Sequence, residues 1–157
     1  TGTATSINAW LNGLIFSPDL DFSGSSSVVI ATDDLGNTGS GGAQTDSGAV
    51  TITVNGVNDP PQTNVPGAQT FDEDSNLTFS TGGGNAISVS DVDVGSSELQ
   101  VTLSTTDATL SLPGFAGLTF SVGDGMADTS MTFTGTLPAI NASLNGLTYA
   151  PDLDFNG

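Results

Sequence analysis

The chain has 157 residues, with 17 Asp and Glu and no Lys, Arg or His, for a formal net charge of −17. No side chain can form a salt bridge, and the basic residues that neutralise nucleic-acid phosphates or anionic membrane surfaces are missing. Cysteine is absent, which excludes disulfides and thiolate metal sites, and the 36% of hydrophobic residues fall in short alternating runs, none long enough to span a bilayer.

β-branched and aromatic residues in alternation mark strands. In chain order the first is Ser27–Ala31 (SVVIA), preceded by a short helical turn expected over Ser6–Leu14. Val50–Asn55 (VTITVN) follows; Val50, Ile52 and Val54 face one way and Thr51 and Thr53 the other, as in a sheet with one wet face. Val57-Asn58-Asp59-Pro60-Pro61 then reads as a linker, because consecutive prolines suit an extended connection. Further strands are expected at Ala86–Ser90, Leu99–Ser104, Leu118–Val122, Ser130–Thr134 and Gly146–Ala150. Between the last two, Pro138–Leu147 places Ile140, Leu144 and Leu147 at helical spacing, with Pro138 near the start and Gly146 near the end. Short strands joined by Gly, Asn and Asp turns suggest an all-β, Greek-key β-sandwich.

The chain repeats itself. Thr1–Gly24 (TGTATSINAWLNGLIFSPDLDFSG) returns as Thr134–Gly157 (TGTLPAINASLNGLTYAPDLDFNG), with 16 of 24 positions identical at an offset of 133 residues. The sequence is therefore one period plus the start of the next, as if taken from a tandem array. Residues 1–58 read as the C-terminal part of one repeat, 59–61 as the linker, and 62–157 as the N-terminal part of the following repeat. Phe22 and Phe155, in the PDLDF turn of each copy, read as core residues.

With no positive side chain, any close pair of carboxylates repels unless a dissolved cation sits between them. Calcium takes six to eight oxygen ligands and needs no nitrogen or sulfur. Three acidic clusters stand out: Asn58-Asp59 in the linker, Asp72-Glu73-Asp74 after Phe71, and Asp91-Val92-Asp93. On an extended segment the two carboxylates of a DxD point the same way. Asp33 and Asp34 are further candidates at the end of the earlier domain. In the PDLDF turns, Asp19, Asp21, Asp152 and Asp154 are read equally as ligands and as side-chain caps accepting backbone N–H bonds.

VNDPP followed by FDED and DVD, with the TDDLGNTGSGG and LNGLTYAPDLDFNG stretches, resembles the bacterial cadherin-like repeats of very large surface adhesins, over nearly the whole chain. That resemblance implies a calcium site (Ca2+) formed by Asn58 and Asp59 with Glu73 and with Asp91 and Asp93. Gly56 stands where a full cadherin linker has an Asp, which implies fewer ions per junction. It also implies an extracellular or cell-surface spacer whose partners are adjacent repeats of the array, with no nucleic acid and no membrane insertion. The alternative is a self-assembling fibre, sheath or matrix protein with lateral self-association through Trp10 or Gly39–Gly42. Enzymatic activity is not expected: a Ser nucleophile would lack a His or Lys base, and a two-carboxylate glycosidase would have little aromatic surface, with one Trp and one Tyr.

Overall fold

The computed structural model describes residues 1–36 and 39–155. Asn37 and Thr38, in the TDDLGNTGSGG stretch, and Asn156-Gly157, at the end of the returning repeat, lie outside the described residues. The structure is mostly antiparallel β with two short helices. The chain divides into two compact units, Thr1–Val57 and Asn58–Gly157.

The first unit contains helix α1 (Ala4–Leu11) and a long hairpin of β1 (Gly24–Asp33) and β2 (Thr45–Val54). Thr3 caps α1: its hydroxyl accepts from the Ser6 N–H at 3.3 Å. The register Val28↔Val50 and Ser26↔Ile52 puts Val28, Ile30, Val50 and Ile52 on one hairpin face. Their opposite face carries Ser25, Ser27, Thr51 and Thr53, the division expected from VTITVN. Both strands extend beyond the expected SVVIA and VTITVN, because pairing continues through Ser, Thr and Asp once the register is set. Among the described residues of this unit, no hydrophobic side chain is buried.

The second unit holds two three-stranded sheets. β4 (Leu77–Phe79), β10 (Leu147–Pro151) and β7 (Ala108–Ser111) form one, in the order β4-β10-β7. β6 (Glu98–Ser104), β9 (Ser130–Thr136) and β8 (Leu118–Val122) form the other, in the order β6-β9-β8. A shorter pair joins β3 (Gln62–Asn64) to β5 (Ser88–Ser90). Alternation in β9 buries Met131, Phe133 and Gly135 and turns Ser130, Thr132 and Thr134 outward, where Thr132 and Thr102 of β6 share a hydroxyl hydrogen bond at 3.0 Å. The core is Leu110, Leu112, Met131, Phe133, Ile140, Leu144 and Leu147, drawn from both sheets and from helix α2 (Leu137–Leu144).

Helix α2 overlaps the expected 138–147 stretch, starting one residue before it and ending at Leu144. Pro138 occupies its first turn, and the Asn145 N–H bonds back to the Asn141 carbonyl at its end. Gly146 then takes φ +113°, where a side chain would be strained, and its N–H reaches the Phe79 carbonyl at 2.8 Å, which feeds the chain into β10. Two asparagines fix the helix to the strands. Asn141 accepts from the Val89 N–H and donates to the Val89 carbonyl, both at 2.8 Å, so its amide takes the place of a neighbouring strand. Asn145 Oδ1 accepts from the N–H and the hydroxyl of Thr81, at 2.9 and 3.2 Å.

Phe22 and Phe155 are not core residues: each is more than a third exposed. The core closes at Leu147, and beyond Pro151 the chain leaves the sheet in a turn.

Candidate cation site

β3 and β5 pair as Gln62↔Ser90, Thr63↔Val89 and Asn64↔Ser88. Extending that antiparallel register outward places Asp59 opposite Asp93, with the two prolines, which have no N–H to offer, between. The Asp59 N–H donates to Asp93 Oδ2 at 2.8 Å. Beside it, Asn58 Nδ2 donates to the Asp59 carbonyl at 3.1 Å, leaving its Oδ1 as a further oxygen.

Asp91 and Asp93 lie in the turn after β5. Asp91 Oδ1 accepts from the N–H groups of Asp93 (3.1 Å) and Val94 (2.9 Å), an Asx-type turn. The Asp93 side chain is the main influence holding the Asp91 carboxyl below its ordinary range. Partial desolvation opposes this, and the two backbone N–H bonds add to it. The backbone engages Asp91 Oδ1 and Asp93 Oδ2.

The other acidic candidates sit elsewhere. Asp72, Glu73 and Asp74 form a turn in which the Ser75 hydroxyl donates to the Asp72 carbonyl and Asp74 takes φ +61°. Asp72 and Glu73 border a cleft with Gln69, Phe71, Tyr149 and Phe155, and Phe71 meets Tyr149 edge-on at 5.8 Å. Asp74 and Asn76 face Pro151 and Leu153. The FDED turn therefore lies against the segment after β10. Among the described residues, no three Asp or Glu side chains are grouped closely enough to hold a metal ion.

Asp33 and Asp34 cap the β1–β2 connection. Asp33 Oδ1 accepts from Leu35 N–H at 2.7 Å, and Asp34 Oδ1 from Gly36 and Gln44 N–H, both at 2.8 Å. The Gln44 bond, then the Gly36 bond, lower the Asp34 pKa. In the PDLDF turns, backbone bonds close the loop: Phe22 N–H to Asp19 carbonyl at 3.2 Å, and Phe155 N–H to Asp152 carbonyl at 3.1 Å. Asp21 and Asp154 both take φ +59°, a left-handed conformation that Asp tolerates better than most residues. Of the two readings of these residues, the side-chain cap is not what closes the turns among the described residues; backbone bonds do.

The oxygens available at Asn58, Asp91 and Asp93 are all hard donors, so they suit calcium or magnesium and not a soft metal. A chain without Lys, Arg or His offers these carboxyl groups no cationic side chain. Asp91 and Asp93 would supply carboxylate oxygens and Asn58 an amide oxygen. Sequence reasoning named these residues but missed the β3–β5 register that joins them, because QTN has no apolar alternation. No protein-family model, curated protein or solved structure matches this chain.

Proposed function

We propose that the chain is part of an extracellular tandem array of cadherin-like β-sandwich repeats, in which calcium at the Asn58–Asp59 linker and the Asp91/Asp93 turn stiffens a spacer or stalk. The observation that carries this reading is the 2.8 Å bond from the linker N–H of Asp59 to Asp93, two residues from Asp91, with no positive side chain anywhere in the sequence. A divalent ion there neutralises the carboxylate pair and fastens the linker to the turn after β5. The 133-residue repeat supports the array. The shared core of two antiparallel three-stranded sheets supports the sandwich. The uniform negative charge keeps neighbouring arrays apart. As in cadherin-type junctions, Glu73 would join the site only if the FDED turn moved from its place beside Tyr149 and Phe155.

Thermal melting of the chain in millimolar calcium and in EDTA tests the proposal. An ion at a hundred times its dissociation constant stabilises the folded state by about 2.7 kcal/mol. Melting should therefore shift upward with calcium, and the shift should disappear in Asp93→Asn. Identical melting in both buffers contradicts the proposal.

A further inference from the structure

The two copies of the repeated segment have nearly the same sequence and opposite surroundings. In the second unit, Ile140, Leu144 and Leu147 are fully or almost fully buried, at 0%, 0% and 2% exposure. Their counterparts are Ile7, Leu11 and Leu14; Leu11 is 41% exposed and Leu14 65%. Leu147–Pro151 forms β10 between β4 and β7, whereas the matching Leu14–Pro18 forms no strand. Asn141 and Asn145 bind the backbone of Val89 and Thr81, whereas the side chains of Asn8 and Asn12 make no hydrogen bond among the described residues. Local sequence cannot cause these differences, since the helix forms in both copies. What separates them is the set of strands packed on the helix and on the segment after it.

The geometry points to an interaction surface on the first unit, formed by Ile7, Asn8, Leu11, Asn12 and Leu14, that receives the front part of another repeat: a segment of the type of residues 62–133, lying ahead of Thr1 in the array. The second unit displays the chemistry of the occupant. A strand like β5 presents its N–H and C=O to Asn8, as Val89 does to Asn141. Strands like β4 and β7 flank Leu14–Pro18 and turn it into a strand, as they do β10.

Trp10 decides against a second copy of this chain as the occupant. Its counterpart Ser143 is buried at 4% exposure, so the seat in the second unit is shaped for a small side chain, while Trp10 stands 74% exposed. Placing an indole where Ser143 sits would overpack that core. The segment that covers Trp10 therefore has the same strands and a smaller side chain opposite the helix. This inference rests on the tandem-repeat part of the proposed function and not on calcium.

The test compares the chain as it stands with one in which residues 62–133 are duplicated ahead of Thr1, both carrying Trp10→Ser so that the duplicated seat fits. Hydrogen exchange should find the amides of Phe16 and Ser17 unprotected in the short chain and slowed on the order of a hundredfold or more in the extended one. In the extended chain that keeps Trp10, the protection should be smaller. Equal exchange in the short and extended chains overturns the inference. So does sedimentation showing that the unmodified chain dimerises with Trp10 shielded from acrylamide, because a second copy would then be the occupant. Calcium-independent melting with protection gained in the extended chain would remove the calcium reading and leave this one standing.

Discussion

Replacing Asn141 by Ala removes two hydrogen bonds of 2.8 Å to the β5 backbone at Val89, and Asn8→Ala makes the same change at the matching position, where no side-chain bond exists. Each bond contributes about 1 kcal/mol net, and a polar group left unsatisfied beside a core costs about 1–3 kcal/mol. Val89 is partly buried and packs against the core, so its N–H and C=O are poorly placed to recover both bonds from water. Asn141→Ala should therefore destabilise the second unit by about 2–4 kcal/mol. For a unit of this size that lowers Tm by roughly 10–20 °C. Asn8→Ala should stay within about 0.5 kcal/mol of the parent chain. Urea unfolding followed by Tyr149 fluorescence and far-ultraviolet circular dichroism measures the first. Trp10, the sole tryptophan, reports on the unit that holds Asn8. Equal losses from the two substitutions would refute the reasoning, because the copies would then be equally packed.

A second matched pair uses glycine. A Cβ on Gly135 would meet the Gly117 carbonyl oxygen and Leu118 Cδ2 at 2.8 Å, so Gly135→Ala should cost about 1–3 kcal/mol in denaturant unfolding. At Gly2 the nearest atom is the movable Ser6 hydroxyl at 3.0 Å, and Gly2→Ala should be nearly neutral. Asp34 gives a pH signature: its folded pKa lies below its ordinary value of 3.8, so its stabilising effect is fully present above pH 3.8 and fades as pH falls through the folded value. The amides of Gly36 and Gln44 should lose exchange protection in that range, and Asp34→Asn, which keeps a carbonyl acceptor, should remove the pH dependence.

The strands most legible in the sequence were those with alternation across a buried face, and Leu99–Ser104, Leu118–Val122 and Ser130–Thr134 fall in β6, β8 and β9. β7 also alternates, with Ala108 and Leu110 buried, but it is only four residues long and was not among the expected strands. β3 and β4 are three residues each and take their pairing from β5 and β10, so local pattern gave no signal. Both helices were legible from the spacing in PAINASLNGL, yet the strand after α2 has no counterpart after α1. That difference is a property of partners and not of the segment itself.

The acidic clusters were legible as types, since a sequence without basic residues leaves carboxylates no other counter-charge. Their grouping was not. Asp59 meets Asp93 through a strand register, and Asp72–Asp74 is carried to the segment after β10 by the contact between Phe71 and Tyr149. Both placements depend on long-range pairing that spacing along the chain does not encode.

The most direct measurement is a calcium titration followed on backbone amide resonances. The proposal predicts saturable shifts centred on Asp59, Asp93 and Val94 in the parent chain, and their loss in the double variant Asp91→Asn, Asp93→Asn, whose amide oxygens still accept the Asp59 and Val94 bonds. Resonances that stay fixed as calcium rises, or that move equally in the double variant, would contradict it.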